Sequence, residues 1–246
     1  MCARHQSYFL MARLILNCDL GEDEPLALTE QLLALVDTAS IGCGFHAGNS
    51  EKTRATIQLA LKAGVRIGAH PGLPVHSGRG NAWPDPAALR VLLETQIGSF
   101  QDSAHSLAAS VEYIKLHGSL YHAVEQDPEL AKVFIDFLGQ QSTPLAVFAL
   151  AGGAFATTAE AAGLRVQHEA FVDRDYRPDG SLVPRSEPGA ILTENEAMAR
   201  LLLWSELGEL ITSGGHKINV KADTLCVHGD SPDALRLLRK VRVLHK

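Results

Sequence analysis

The sequence predicts an α/β fold, specifically a seven-stranded, mostly parallel β/α barrel of the TIM-like kind, and three observations carry that prediction. Short apolar and β-branched runs recur along the chain, and each leads into a segment of helical periodicity. The 246 residues accommodate seven such units at about 34 residues each, the size of one crossover unit. No GxGxxG fingerprint follows the first strand, where an open doubly wound sheet carries it; Asn17-Cys-Asp-Leu-Gly-Glu22 stands there instead.

Strands are expected at 14–20, 39–45, 65–69, 113–117, 145–150, 165–172 and 224–227. Helices are expected at 26–36, 50–63, 86–109, 128–138, 154–162, 194–210 and 232–243. Ser50 reads as the cap of the second helix, whose Thr53, Ile57, Ala60 and Leu61 share a face. Pro86, Pro128 and Pro232 suit first-turn positions, and Gly64 and Gly163 stand where helices end in a left-handed residue. The stretch 211–222 reads as a peripheral hairpin turning at Gly214-Gly215. Residues 1–12 form an expected tail, disordered or a start-site artefact ahead of Met11, and 13–246 one domain, since no linker divides them.

Composition narrows the function. Lys plus Arg number 22 against 28 Asp plus Glu, a net charge of −6 that leaves no electrostatic footprint for nucleic acid. Mean hydropathy is +0.03, and no apolar run approaches the roughly 20 residues of a membrane span. The first twelve residues lack the apolar region of a signal peptide, so a cytoplasmic location is expected. Cys2, Cys18, Cys43 and Cys226 form no CxxC pair and read as packed, reduced thiols. Neither a GxSxG elbow nor a GxxxxGK[ST] loop is present. Gly152-Gly153 before a helix fits either an anion cradle or a plain tight turn.

Polar residues interrupt the strands late, at the carboxyl ends where β/α barrels build their sites. The tips are Asn17 and Asp19, His46, His70, Lys115 and His117, Glu169 and Asp173, and His228 and Asp230. Asn17/Asp19, Lys115/His117 and His228/Asp230 are two apart and so share the lumen face. One such tip is ordinarily a structural hydrogen bonder, but leaving all of them idle would cost several kcal/mol in desolvation. Of eleven histidines, four belong to this ring. His76, His105, His122, His168, His216 and His245 lie off the pattern and read as surface or packing residues. Asp19, His46 and His70 could hold a catalytic divalent metal, or serve as a metal-free acid/base cluster. Lys115 needs a carboxylate partner, which Asp19, Glu169 or Asp230 could supply. Arg174 and Arg185 flank the loop 173–188 and could grip a carboxylate or phosphate.

Six segments together resemble the bacterial LamB/YcsF family of 5-oxoprolinase A subunits. They are Leu16-Asn-Cys-Asp-Leu-Gly-Glu22, Cys43-Gly-Phe-His-Ala-Gly-Asn49, Gly68-Ala-His-Pro-Gly72, Lys115-Leu-His-Gly-Ser-Leu-Tyr121, the stretch 169–191, and Cys226-Val-His-Gly-Asp230. The resemblance implies a barrel similar to polysaccharide deacetylases. It further implies a part in ATP-dependent opening of the 5-oxoproline lactam to L-glutamate, with two partner subunits and ATP as co-substrate. Two segments depart from the family pattern: Asp23-Glu-Pro enters the first helix directly, and Ser77-Gly-Arg-Gly80 keeps one arginine, Arg79. On this reading Asp19, His46, His70, Lys115, His117, His228 and Asp230 are catalytic. Asp19 acts as base or metal ligand, the histidines 46, 70 and 117 serve the oxyanion, Lys115 and one arginine hold a substrate carboxylate or phosphate, and Asp230 orients His228. Asn17, Glu22, Arg79, Glu169, Arg174 and Arg185 are the expected substrate-binding residues. Two rivals stay open: a metal-dependent amide hydrolase acting alone on another small lactam or N-acyl compound, and a noncatalytic subunit binding a metabolite or partner.

Overall fold

The computed structural model describes residues 14–80, 82–231 and 233–244; the expected tail 1–12, Cys2, Pro232 and His245 lie outside them. Along the chain run β1 (Ile15–Leu20), α1 (Leu26–Leu33), β2 (Thr38–Gly42), α2 (Ser50–Ala63), β3 (Arg66–His70) and α3 (Pro86–His105). Next come β4 (Val111–Ile114), α4 (Gly118–Gln126), α5 (Pro128–Gly139), β5 (Ala146–Leu150), α6 (Ala154–Ala161) and β6 (Val166–Phe171). The chain continues through α7 (Glu194–Leu207), β7 (Leu210–Ile211), β8 (Lys217–Ile218), β9 (Thr224–His228) and α8 (Ala234–Leu244). Seven strands close a barrel in the order β1-β2-β3-β4-β5-β6-β9, each pair parallel. The short β7–β8 pair is the antiparallel hairpin expected beside it. Among the described residues no helix is long and apolar enough to cross a membrane.

Helix starts follow their capping chemistry. Asp85 and Asp127 accept backbone N–H groups ahead of Pro86 and Pro128, and Thr193 with Glu196 makes a capping box on α7. The cap of α2 is Asn49, whose side chain accepts from Lys52 N, and not Ser50, which already lies inside the helix. Gly64 ends α2 with φ +70°. One helix was not expected at all: α4 begins on Gly118 at φ +54°, so its start reads as a turn, although Leu120, Tyr121 and Val124 carry the buried face. The expected fourth strand shifts earlier for the same reason. Lys115 and His117 lie just past β4, yet their N–H groups still donate to Ala69 O and Pro71 O of the neighbouring segment, which preserves the alternation.

Alternation along the strands fills the lumen in layers. At the amino end Tyr113 stacks on Phe148 with centroids 3.9 Å apart, and its hydroxyl meets Ser40 Oγ at 3.2 Å. A Cβ on Gly68 would lie 2.4 Å from the Tyr113 ring, which is why glycine occupies that position. The middle layer holds Asn17, Lys115, Glu169 and Cys226, all at most 2% exposed. Asp19, His70 and His228 form the upper layer, where the barrel opens. Outside, α3 lays Leu89, Leu93, Ile97 and Phe100 against the barrel, the spacing of one helical stripe.

Candidate active site

A cavity of about 350 Å³ opens at the carboxyl end of the barrel. Asp19, His70, Lys115, His117 and His228 line its depth, and Arg79, Arg174, Arg185 and His122 line its flanks. Of the expected site residues, Asn17, Glu22, His46, Glu169 and Asp230 do not line it; the first four stand behind those that do, and Asp230 lies out at the rim.

Lys115 is the buried hub. Its Nζ lies 2.8 Å from Asp19 Oδ1 and 2.8 Å from Glu169 Oε1, 3.4 Å from Asn17 Oδ1 and 3.1 Å from Cys226 Sγ. Burial alone would lower the ammonium, but Asp19, Cys226 and Glu169 hold it well above its usual range. The expected grip of Lys115 on a substrate carboxylate therefore needs correction: its hydrogens are spent on the protein. Asn17 and Glu169, expected at the substrate, are fully buried and position Lys115. One ammonium between two carboxylates cannot neutralise both. Burial raises the Glu169 carboxyl. Burial also opposes ionisation of Asp19, yet His70, Lys115 and His228 outweigh it and hold that carboxyl far below its usual range. Asp19 is thus held as an ionised carboxylate against Lys115, 2.8 Å away.

His228 is held by Asp173. Nδ1 lies 2.9 Å from Asp173 Oδ1, and the His228 backbone N–H donates to Oδ2 at 3.1 Å. Burial works against the Asp173 carboxylate, but His228 and Arg185 keep its carboxyl lowered. A carboxylate can only accept, so Nδ1 carries the hydrogen and Nε2 is left to exchange a proton. This corrects the expected role of Asp230, which lies past the strand end and instead accepts from Arg185 Nη1 at 2.8 Å and pairs with Arg79 Nη2 at 3.5 Å. Arg174 is also spent on structure, donating through Nε to Ala190 O and through Nη2 to Val183 O; it straps the loop 173–191 over the site. Arg79 and Arg185 remain the two guanidiniums whose partner, Asp230, sits at the open rim.

On the opposite wall three imidazoles gather around Glu22. His46 Nε2 and His117 Nδ1 lie 3.1 and 3.0 Å from Glu22 Oε1. Burial depresses His70 to about 3 and lowers His46 as well. The short 22–25 loop aims Glu22 here: Glu24 accepts the N–H groups of Gly21 and Glu22 at 2.8 and 3.0 Å. Atoms of Glu22, His46 and His117 form one group able to hold a metal ion, and those of Asp19, Cys226 and His228 another. The expected triple of Asp19, His46 and His70 does not gather as one group: His46 falls in the first, Asp19 in the second and His70 in neither, although His70 Nε2 lies 3.5 Å from Asp19 Oδ2.

Several site residues escaped sequence reasoning. His122, expected at the surface or in packing, lines the cavity, and burial with Arg174, Arg79 and Arg185 lowers it to about 4. Tyr121 lines it too, and burial raises its phenol. Both sit on α4, the helix with no start signal. Cys226 looked like a packing thiol. Asp173 was visible as a polar strand tip, but nothing along the chain ties it to a histidine 55 residues on. The Gly152-Gly153 turn receives Glu125, whose Oε2 accepts Phe155 N–H at 3.3 Å, so the cradle is filled by the protein's own carboxylate. A second cavity of about 430 Å³ adjoins there, sharing Tyr121, His122, Leu182 and Pro184 with the first.

Known proteins place this architecture. Residues 14–246 match the LamB/YcsF family. The chain is 38% identical over 234 residues to the 5-oxoprolinase A subunit of Bordetella pertussis, covering 93% of each chain. It is 36% identical to that of Pyrococcus abyssi, covering 94% of this chain and 92% of the relative. The crystal structure of a lactam utilization protein from Thermus thermophilus superposes with a TM-score of 0.84 at 32% identity, covering 94% of this chain and 95% of the other. Sequence and barrel agree: the chain belongs to the LamB/YcsF family.

Proposed function

We propose that this chain is the lactam-opening component of an ATP-driven 5-oxoprolinase, acting in the cytoplasm with two partner subunits that supply the ATP chemistry. The observation that carries this reading is the pairing, in one small cavity, of a histidine poised for proton transfer with two guanidiniums at the rim. 5-Oxoproline is a small cyclic amide bearing one carboxylate, and its size and charge suit that arrangement. The family relatives, named as 5-oxoprolinase A subunits and a lactam utilization protein, support the same substrate.

In the proposed reaction Arg79 and Arg185 draw the substrate carboxylate to the rim in competition with Asp230. This orients the ring with its carbonyl toward the floor. A water attacks the carbonyl carbon as His228 Nε2 takes its proton, while Asp173 steadies the imidazolium through Nδ1–H. The expected service of His46, His70 and His117 to the oxyanion is not part of this reading, because the His70 Nδ1–H and His117 Nε2–H are donated to Lys115 O and Ser77 O and His46 does not line the cavity. The C–N bond then breaks and the leaving nitrogen takes a proton from His228, giving the open-chain amino acid. An unstrained lactam resists such attack, and transfer of the ATP γ-phosphoryl group to the carbonyl oxygen would turn that oxygen into part of a leaving group. On this reading the transfer falls to the partners, a division that fits the lack of a GxxxxGK[ST] loop in this chain.

The test is turnover of 5-oxoproline to glutamate by the chain alone, with ATP, and with both partners and ATP. The expected result is turnover only in the last, with Arg185→Gln raising KM by about 10- to 100-fold. Turnover of other amides by the isolated chain without ATP would instead select a stand-alone hydrolase. A complex indifferent to both Arg185→Gln and His228→Gln would mark a noncatalytic subunit.

A further inference from the structure

We propose that Glu22, His70 and His117, with His46 as a fourth donor, form a binding site for a divalent transition-metal ion of the zinc class. The proposal does not depend on which amide is the substrate; it comes from counting hydrogens. His70 Nδ1 lies 2.8 Å from Lys115 O, and His117 Nε2 lies 2.9 Å from Ser77 O. A carbonyl oxygen only accepts, so both of these nitrogens carry their hydrogens. The other two, His70 Nε2 and His117 Nδ1, are 2.9 Å apart and turn lone pairs toward each other. Glu22 Oε1 closes the triangle, 3.0 Å from His117 Nδ1 and 3.7 Å from His70 Nε2. These three side chains are 4%, 1% and 12% exposed for His117, His70 and Glu22, so water does not dissipate the conflict.

Something positive must sit among the three lone pairs, and the neighbouring ammonium of Lys115 is committed to Asp19 and Glu169. It is either a proton or a metal ion, and two further features favour the metal. Imidazole nitrogen with carboxylate oxygen is the donor set of zinc and its neighbours. Both rings also donate their far N–H to a backbone carbonyl, the outer contact that orients metal-binding histidines. Around them the backbone is shaped to the rings: a Cβ on Gly72 would lie 2.7 Å from His46 Nδ1, and one on Gly78 would lie 2.5 Å from His117 Cδ2. Ser77, in the left-handed region at φ 57°, presents the carbonyl that sets the His117 tautomer, a strained conformation with that use. His46 Nδ1 is buried without a partner among the described residues. As the site stands, Nε2 donates to Glu22 Oε1 at 3.1 Å; moving that hydrogen to the unpartnered Nδ1 would turn an Nε2 lone pair inward.

The test is direct binding, with no turnover needed. Chelator-treated protein is titrated with Zn²⁺ by calorimetry and with Co²⁺ by visible absorption, beside Glu22→Gln, His117→Gln and the surface control His105→Gln. One equivalent is expected to bind wild type and the control alike, with a Co²⁺ spectrum of low-symmetry nitrogen and oxygen ligation. Binding should weaken by about 100-fold or more in the other two variants. Glu22→Gln keeps volume and shape, so it reports even if His117→Gln fails to fold. Absence of binding at high micromolar metal, with a shared proton found between the rings by ¹⁵N imidazole shifts, would overturn the proposal. So would tight binding that survives both site substitutions.

Discussion

Replacing Lys115 by Met removes the only ammonium within reach of two buried carboxylates among the described residues, each 2.8 Å away. Met fills similar space, so the change is chiefly one of charge. Leaving a buried ion without its partner costs about 3–5 kcal/mol. At roughly 2–4 °C per kcal/mol for a chain of this size, melting should fall by about 6–20 °C. The Glu169 carboxyl, already raised by burial, then loses the cation that opposes the rise and moves further above its unfolded value. The folded protein binds the extra proton, so the deficit is largest at pH 8 and shrinks as the pH falls through the raised value. Adding Glu169→Gln restores the original charge balance and should recover at least half of the lost stability. Urea unfolding at pH 5 and pH 8 of wild type, both single variants and the double variant completes the cycle. The reasoning fails if Lys115→Met stays within about 1 kcal/mol of wild type at pH 8, or if Glu169→Gln restores nothing.

Three other outcomes are expected. Asp173→Asn should lower kcat by about 100- to 10,000-fold with KM within a few-fold, because His228 loses its fixed tautomer; Asp230→Asn should leave kcat within a few-fold, and equal losses in both would refute the Asp173–His228 pairing. His122, lowered to about 4 against about 6.5 unfolded, binds fewer protons folded than unfolded between those values, so its contribution to stability is complete above pH 6.5 and declines as pH falls toward 4; an NMR titration midpoint at 6 or above would contradict this. Gly68→Ala places a methyl 2.4 Å from the Tyr113 ring and should destabilise by about 1–3 kcal/mol, read by thermal melting; an unchanged midpoint would show that the Tyr113–Phe148 stack yields freely.

The sequence by itself determined the number of β/α units, their order around the barrel and the rank of polar tips at the open end. These follow from local periodicity: apolar runs mark strands, a repeat near 3.6 marks helices, and two-residue spacing puts Asn17 with Asp19 on one face whatever surrounds them. Local reasoning erred where a local signal was missing or misleading, at Gly118, which opens α4 with a turn-like residue, and at Ser50, which looks as good a cap as Asn49. The tertiary structure alone decided who pairs with whom. Asp230 is two residues from His228 and yet bonds the rim arginines, while Asp173 reaches His228 from the adjacent strand. Glu22 stands behind the cavity and pairs with the histidines, and Lys115, expected to hold substrate, is enclosed by Asp19 and Glu169. Hydrogen bonds and ion pairs act over about 3 Å. At that range the partners of a charged group are set by barrel closure and loop path, which bring together residues far apart in the chain.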